Sequence, residues 1–334
     1  MLLIERSSPL DVTETFTVVA ARLTALASPA IALISLAAPA QAADFAGLVD
    51  IGADRKLYLE CSGIGAPTVV LISGKGNGAA DWSEVLDPTA PEHEADYDAV
   101  AWGKGKLLKS DSAVFPMVSR FTRVCAYDRP DVRLEGSDRS SSVTQPHPVD
   151  QATDDLRRLL TAAGEPGPYV LVPHSYGGLI ATLFARTWPD QIAGLVMVDA
   201  ATPLIRDVAS AEAVEKWDAA NRKSDPAAPE AVMLIDAYAR IDAAPPLGEL
   251  PAVVLSSDKP WQPPSTPKDS GPAGGVTFAD WQASEKLLAT TLKAKFVPST
   301  NSGHNIYAYS PQIVIDAIHE VVDAVRRGET SLAP

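Results

Sequence analysis

Short apolar runs alternate with helical patterns along most of the chain from residue 43 onward. Thr68 to Ser73 is a compact apolar run bounded by Pro67 and Gly74, which is typical of a strand buried on both faces. Between Asp150 and Ala163, apolar residues recur at a spacing that predicts a helix with one buried stripe. The whole pattern predicts eight strands, at 48–51, 56–61, 68–73, 122–127, 169–172, 192–199, 252–256 and 295–297.

The order of these elements predicts an α/β fold class. Further helices are expected at 179–187 and 314–325. Strands that alternate with helices favour a mostly parallel sheet covered on both sides. Because no linker separates two independent regions, we expect a single domain over residues 43–334.

Two long insertions interrupt the alternation. Residues 201–249 carry helical patterns, and their position between strands suits a small lid over a site. Surface decoration is the alternative. Residues 83–118 form a second insertion that is polar and irregular, and the proline-rich stretch 260–273 is expected to be a loop.

The first 42 residues have the pattern of a cleaved signal peptide. Arg22 precedes the apolar stretch Leu23 to Ala40, and Ala40-Gln41-Ala42 matches a small-residue cleavage site. A membrane anchor is the competing interpretation, but two prolines and many alanines make the stretch only weakly apolar. We therefore expect a secreted or periplasmic protein, with no stable membrane insertion after the signal is removed.

The net charge of the chain limits the kinds of partner that it is expected to bind. The 334 residues carry a net charge of −14, and no basic cluster is longer than a pair of arginines. Nucleic-acid binding is therefore not expected. The acidity favours solubility rather than recognition, and the oligomeric state is left open.

The most informative motif is the octet Leu171-Val-Pro-His-Ser-Tyr-Gly-Gly178. It predicts a strand, a sharp turn and a helix, with Ser175 at the apex. The helix directs its free N–H groups and the positive end of its dipole toward whatever the serine attacks. Taken alone, the motif also fits an ordinary serine in a turn. The rest of the chain must therefore show whether Ser175 is a nucleophile.

This arrangement resembles the nucleophile elbow of the α/β-hydrolase family, whose pattern is Gly-x-Ser-x-Gly. The present chain has Pro173 at the first glycine. Further matches are Arg123 to Pro130 and Ser302-Gly-His304, and the resemblance covers nearly all of residues 46–327. It implies an α/β-hydrolase fold with a mostly parallel eight-stranded sheet, helices on both faces and a small helical lid.

The resemblance also implies a catalytic triad in the chain order serine, acid, histidine. Ser175 is the expected nucleophile, and His304, between the last strand and the closing helix, is the expected base. The expected acid is Asp258, just after the strand at 252–256. Asp199, at the end of an earlier strand, is the alternative acid.

The oxyanion of such a reaction needs two preorganised N–H donors. By the resemblance these are the main-chain N–H groups of Tyr176 and Lys75. Asn77 and Trp82 follow the same loop closely, so we expect both to line the substrate pocket.

The two cysteines, Cys61 and Cys125, fall in the second and fourth predicted strands. In an α/β-hydrolase sheet these strands are neighbours, so an exported protein could join them by a disulfide. Two buried thiols are the alternative.

Together these features predict a secreted serine hydrolase that cleaves carboxylic esters of small molecules through an acyl-enzyme. No metal or cofactor is expected. A cofactor-free lyase or an acyltransferase on the same fold is the first alternative, and a non-catalytic binding protein is the second, because fold alone does not determine function.

Overall fold

The structure is a computed structural model that describes residues 43–98, 100, 104–261 and 275–332. The expected signal peptide at 1–42 and most of the expected loop at 260–273 lie outside the described residues. Among the described residues, no helix combines the length and the apolar character needed to cross a bilayer.

The strands form one large sheet and one small ribbon. They are β1 (Phe45–Gly52), β2 (Arg55–Ser62), β3 (Thr68–Ile72), β4 (Glu84–Leu86), β5 (Leu107–Lys109), β6 (Val124–Tyr127), β7 (Tyr169–Ser175), β8 (Ile192–Ala200), β9 (Ala252–Leu255) and β10 (Lys295–Val297). The large sheet has the order β1-β2-β6-β3-β7-β8-β9-β10, and β4 pairs with β5. Strand β2 runs antiparallel to β1 and β6, and the other neighbours in the large sheet are parallel. The prediction of a mostly parallel eight-stranded sheet is therefore confirmed.

The helices flank this sheet. They are α1 (Pro91–Glu94), α2 (Val114–Val118), α3 (Val149–Ala162), α4 (Gly177–Thr187), α5 (Ala211–Asn221), α6 (Leu234–Ala243), α7 (Phe278–Leu292), α8 (Ile306–Tyr309) and α9 (Pro311–Arg326). Short 3₁₀ turns lie at Ala79–Ser83, Pro189–Gln191 and Pro203–Asp207.

Two apolar clusters cover the two faces of the sheet, as strand β3 illustrates. Val70 and Ile72 join the cluster that contains the apolar stripes of α3 and α4. Val69 and Leu71 join the cluster that contains α2 and α9. Alternate residues of a strand point to opposite faces, so a continuous apolar run such as β3 is what a strand between two helical layers requires.

Helix α7 was not predicted from the sequence. Its start carries a reciprocal cap, because the Thr277 hydroxyl accepts from the Asp280 N–H and the Asp280 carboxylate accepts from the Thr277 N–H. The Thr-x-x-Asp pattern was the available signal for this helix. Missing it mattered, because α7 supplies a wall of the cavity described below.

The two insertions are more regular than expected. Residues 83–118 hold the β4–β5 ribbon together with α1 and α2, so the expectation of an irregular segment is wrong in part. Residues 201–249 contain the last of the 3₁₀ turns, α5 and α6. Ser210 caps α5 by accepting from the N–H of Ala213, which explains where that helix begins.

A disulfide joins Cys61 of β2 to Cys125 of β6. The two residues are directly opposite each other in the antiparallel register of these strands. The expected pairing is confirmed, and it follows from the sheet order that places β2 beside β6.

Candidate active site

Ser175 ends β7 in a backbone conformation that few non-glycine residues adopt. Its φ is +50°, in the left-handed region, and α4 begins two residues later at Gly177. A Cβ at Gly177 would lie 2.3 Å from the carbonyl oxygen of Ile72, so only glycine allows the helix to start this close to β3. This is the strained strand-to-helix turn that projects a nucleophile from a sheet edge.

His304 pairs with a buried carboxylate. Its Nδ1 lies 2.7 Å from Oδ2 of Asp199, and both side chains are almost fully buried. The other carboxylate oxygen of Asp199 accepts from the N–H of Ser257 at 2.8 Å. The carboxylate is thereby fixed against one imidazole nitrogen, which leaves Nε2 as the nitrogen that can act as a base. His304 and Ser175 line the same cavity, whose volume is about 310 Å³.

The expectation that Asp258 pairs with His304 is wrong, and the alternative Asp199 occupies that position. The Asp258 carboxylate accepts instead from the main-chain N–H groups of Asn301 and Ser302, at 3.1 and 2.8 Å. It therefore holds the loop that leads to His304. The physical reason is sheet order, because β8, whose last two residues are Asp199 and Ala200, lies directly beside β7, and β9 is one strand farther away.

A further carboxylate from the 83–118 insertion supports the histidine loop. Asp98 accepts from the main-chain N–H of His304 at 3.1 Å and from the Tyr309 hydroxyl at 3.2 Å. A Cβ at Gly303 would lie 2.3 Å from the Asp98 carboxylate, so glycine is needed for this approach. No local pattern in the sequence indicated that residue 98 would reach residue 304.

His174, next to the nucleophile, also lines the cavity but is held away from the role of base. Its Nε2 lies 3.0 Å from the main-chain oxygen of His304, and the two rings are 4.6 Å apart. Burial, and then the charge of His304, hold the pKa of His174 well below its usual range. His174 is therefore neutral near pH 7, which leaves His304 as the imidazole with a carboxylate partner.

The loop after β3 lies directly against Ser175. A Cβ at Gly74 would lie 2.9 Å from Cβ of Ser175, and both Lys75 and Tyr176 line the cavity beside the serine. These are the positions expected of the two oxyanion donors. Of the two residues expected to line the pocket, Asn77 does so.

Trp82 does not line this cavity, and the expectation that it would is wrong. Its side chain is 1% exposed and its indole N–H donates to the Ser73 hydroxyl at 2.9 Å. The indole also packs against Tyr307, with ring centroids 4.8 Å apart. Trp82 thus supports the loop from beneath, because the 3₁₀ turn at Ala79–Ser83 directs it into the core.

A buried ion pair holds the same loop from the other side. Arg129 donates to the main-chain oxygens of Ser73 and Gly74, at 2.7 and 2.6 Å. Its guanidinium also pairs with Glu230 at 2.6 Å and lies over the Tyr176 ring. Since Glu230 comes from the 201–249 insertion, this pair ties that insertion to the expected oxyanion loop.

The rest of the cavity wall is largely apolar. The 201–249 insertion contributes Trp217, Val232 and Leu234, and α7 contributes Trp281. Sequence reasoning missed Trp281 because it missed α7. An apolar wall around a few convergent polar groups is typical of a site for small organic molecules.

Within the described ranges, one group of side chains has the spacing of a metal site: Cys61, Cys125 and Glu165. Both sulfurs are joined in the disulfide, and Glu165 pairs with Arg123 at 2.7 Å. These groups are therefore already engaged, and they form no thiolate site.

Comparison with solved structures gives the same fold. A putative lipase of Acinetobacter baumannii covers 86% of this chain and 93% of its own, with a TM-score of 0.53 and 17% identity. A bromoperoxidase of Bacillus anthracis covers 84% of this chain and all of its own, with a TM-score of 0.52 and 17% identity. An E-2-(acetamidomethylene)succinate hydrolase reaches a TM-score of 0.51 at 18% identity, over 84% of this chain and 100% of its own. The chain is an α/β-hydrolase-fold protein.

Curated proteins match over shorter stretches. Protein YqjL of Bacillus subtilis is 28% identical over 209 residues, which are 59% of this chain and 72% of YqjL. Lipase LipV of Mycobacterium tuberculosis is 36% identical over 101 residues, 29% of this chain and 36% of LipV. An uncharacterized protein of Schizosaccharomyces pombe is 32% identical over 152 residues, 43% of this chain. The match spans about a quarter (26%) of that fission-yeast protein. No protein-family model matches the chain.

Proposed function

We propose that this protein is a serine hydrolase that cleaves carboxylic esters of small molecules. The observation that carries the proposal is one cavity lined by Ser175, at a strained elbow, and by His304, whose other ring nitrogen lies 2.7 Å from Asp199. A serine hydroxyl near pH 7 needs a base and an acid that orients the base. A putative lipase and a hydrolase are among the structures with this fold, which is consistent with such chemistry.

In the proposed reaction, the Ser175 hydroxyl oxygen attacks the acyl carbon while His304 takes its proton. Asp199 holds the imidazole in the productive tautomer and stabilises its charged form. The main-chain N–H groups of Tyr176 and Lys75 stabilise the oxyanion. Collapse of the tetrahedral intermediate breaks the bond to the alcohol, which leaves with the proton from His304. Water, deprotonated by His304, then attacks the acyl-enzyme and releases the acid, so Ser175 regains its proton.

The direct test is the replacement of Ser175 by alanine. We expect Ser175→Ala to lose p-nitrophenyl butyrate turnover and labelling by a fluorophosphonate probe. Ser112→Ala, which removes an exposed hydroxyl that is not part of the cavity lining, is the matched control and should keep both. Labelling that persists in Ser175→Ala would place the nucleophile elsewhere, and wild-type protein without labelling or turnover would overturn the proposal.

We also propose that the protein is exported, as the pattern of residues 1–42 suggests. The Cys61–Cys125 disulfide supports this location, because disulfides persist mainly in oxidising compartments. Fractionation of expressing cells and N-terminal sequencing provide the test. The expected result is a mature chain that begins at Ala43, outside the cytoplasm; an uncleaved chain retained in the cytoplasm would refute it.

A further inference from the structure

The cavity wall beside Ser175 carries a side-chain cation that the proposed reaction does not use. Lys75 is half-buried, and its ammonium group donates to Asn221 through two long contacts, 3.2 Å to the main-chain oxygen and 3.5 Å to Oδ1. Both residues line the cavity. An ammonium group has three donor hydrogens, and two long contacts to neutral oxygens satisfy it poorly.

No carboxylate balances this charge at the cavity wall. Among the described residues that line the cavity, none is an aspartate or a glutamate. The nearest acidic influence on Lys75 is Glu230. That carboxylate already accepts from Arg129, at 2.6 and 3.1 Å, and from the Gly76 N–H at 2.6 Å. Glu230 is thus neutralised by Arg129, and Asp199 is engaged by His304, so neither carboxylate is committed to Lys75.

The position of the charge relates it to the scissile bond. The main-chain N–H of Lys75 is a proposed oxyanion donor, so the side chain that carries the ammonium group begins beside the expected position of the reacting carbonyl, and its ammonium lies against Asn221 of the same cavity wall. Burial lowers the pKa of Lys75 although Glu230 opposes the shift, because the desolvated ammonium lacks the stabilisation that water would give. A bound anion would restore that stabilisation in a partly apolar cavity, where charge-assisted hydrogen bonds are strong.

We propose that the natural substrates are esters that carry an anionic group, most simply a carboxylate, and that Lys75 binds this group through its ammonium. This inference rests on the proposed esterase function and narrows its substrate class to charged esters, such as half-esters of dicarboxylic acids. The apolar wall formed by Trp217 and Trp281 then contacts the carbon chain between the two ends of the substrate.

The test compares substrates that differ only in charge. Monoethyl adipate carries a carboxylate at its far end, and ethyl adipamate carries a neutral amide of nearly the same shape. Both release ethanol, which is measured for each. We expect wild-type kcat/KM to favour the carboxylate by about tenfold or more, because a hydrogen bond to a charged group is worth more than one to a neutral group. Monoethyl glutarate and suberate locate the preferred chain length.

Side-chain variants of Lys75 test the role of its ammonium group while leaving its main-chain N–H in place. Lys75→Met should bring the carboxylate-to-amide ratio close to one, and Lys75→Arg should restore part of it. Lys216→Met is the matched control, because Lys216 lies in the same insertion but is exposed and pairs with Glu212. It should leave the ratio unchanged. A wild-type preference for the amide, or an unchanged ratio in Lys75→Met, would overturn the inference while leaving the esterase proposal intact.

A binding measurement that needs no turnover separates the two proposals. Adipate should raise the Tm of Ser175→Ala but not that of Ser175→Ala combined with Lys75→Met, since a ligand stabilises only the state that binds it. If adipate stabilises the protein through Lys75 and no ester is cleaved, the anion site stands and the esterase proposal fails. If neutral esters are cleaved and adipate has no effect on Tm, the anion site fails.

Discussion

The identity of the triad acid gives the sharpest prediction, and Asp199→Asn is the perturbation that tests it. The N–H of Ser257 donates to Oδ1 of Asp199 at 2.8 Å, so the amide oxygen of the new asparagine should take that position. Its NH₂ group then faces Nδ1 of His304. A donor facing Nδ1 forces the imidazole proton onto Nε2, and a protonated Nε2 cannot accept a proton from Ser175.

The magnitude follows from the distance between the two side chains. At 2.7 Å between Nδ1 and Oδ2, the attraction between the carboxylate and the charged imidazole is about 6 kcal/mol at an effective dielectric constant of about 20. The neutral imidazole of the wild type already gains about 2 kcal/mol from its hydrogen bond to this carboxylate, so that part is not specific to the transition state. The transition state therefore loses about 4 kcal/mol, which corresponds to a fall in kcat of about a thousandfold.

The assay is p-nitrophenyl butyrate turnover by Asp199→Asn and, as the matched control, by Asp258→Asn. Because the Asp258 carboxylate accepts from the main-chain N–H groups of Asn301 and Ser302, its replacement should lower kcat by less than about tenfold. Circular dichroism would confirm that both variants fold. Equal losses in the two variants, or more than a tenth of wild-type kcat in Asp199→Asn, would refute the assignment of the acid.

Three further predictions concern stability and the oxyanion loop. Replacing both Cys61 and Cys125 by alanine should lower the free energy of unfolding by about 4 kcal/mol, because the bridge closes a loop with a sequence separation of 64 residues; an unchanged urea midpoint would contradict this. Arg129→Met should lower the free energy of unfolding by about 3–5 kcal/mol, because it leaves Glu230 buried without its partner. Glu230→Gln keeps the shape of the side chain but weakens its pairing with Arg129. It should lower kcat more than it changes KM, because the loop that contacts Ser175 becomes less rigid. Equal stability of Arg129→Met and wild type in denaturant would contradict the stabilising role of the Arg129–Glu230 ion pair. Burial, and then the charge of Asp199, raise the pKa of Glu285 well above its usual value. The protonated Glu285 side chain therefore contributes to the stability of the fold at acid pH, and this contribution is lost as the pH rises toward the folded-state pKa. Glu285→Gln should therefore gain stability over wild type, by up to about 1.4 kcal/mol for each pH unit within that window; a difference in Tm that does not vary with pH would show that Glu285 is ionised in the folded protein.

The positions of Ser175 and His304 in the fold could be predicted because their signals are local. A strand that ends in a serine, followed by two glycines and a helix, specifies a turn whose geometry depends on a few adjacent residues. The same holds for His304, placed between the last strand and the closing helix. The central strands β3, β6, β8 and β9 were likewise visible as short apolar runs, because burial on both faces leaves little room for polar residues.

The predictions that failed concern side chains whose positions depend on contacts between residues far apart in the sequence. Trp82 follows the oxyanion loop closely in the sequence, yet a single 3₁₀ turn directs its ring into the core rather than into the cavity. Asp98 reaches His304 across more than two hundred residues of chain. Helix α7 had a local signal in Thr277 and Asp280, so its omission reflects an overlooked capping pattern rather than missing information.

By itself, the amino-acid sequence determined the strands, the elbow at Ser175, the histidine and the pair of cysteines, because each depends on the backbone preferences and burial pattern of a short segment. Only the tertiary structure decided which carboxylate serves His304. Asp199 and Asp258 both lie at or just beyond the carboxyl end of a parallel strand, and nothing in their neighbourhoods in the sequence distinguishes them. The order of the strands in the sheet and the two main-chain N–H groups that engage Asp258 make the choice, and both come from chain segments far away in the sequence.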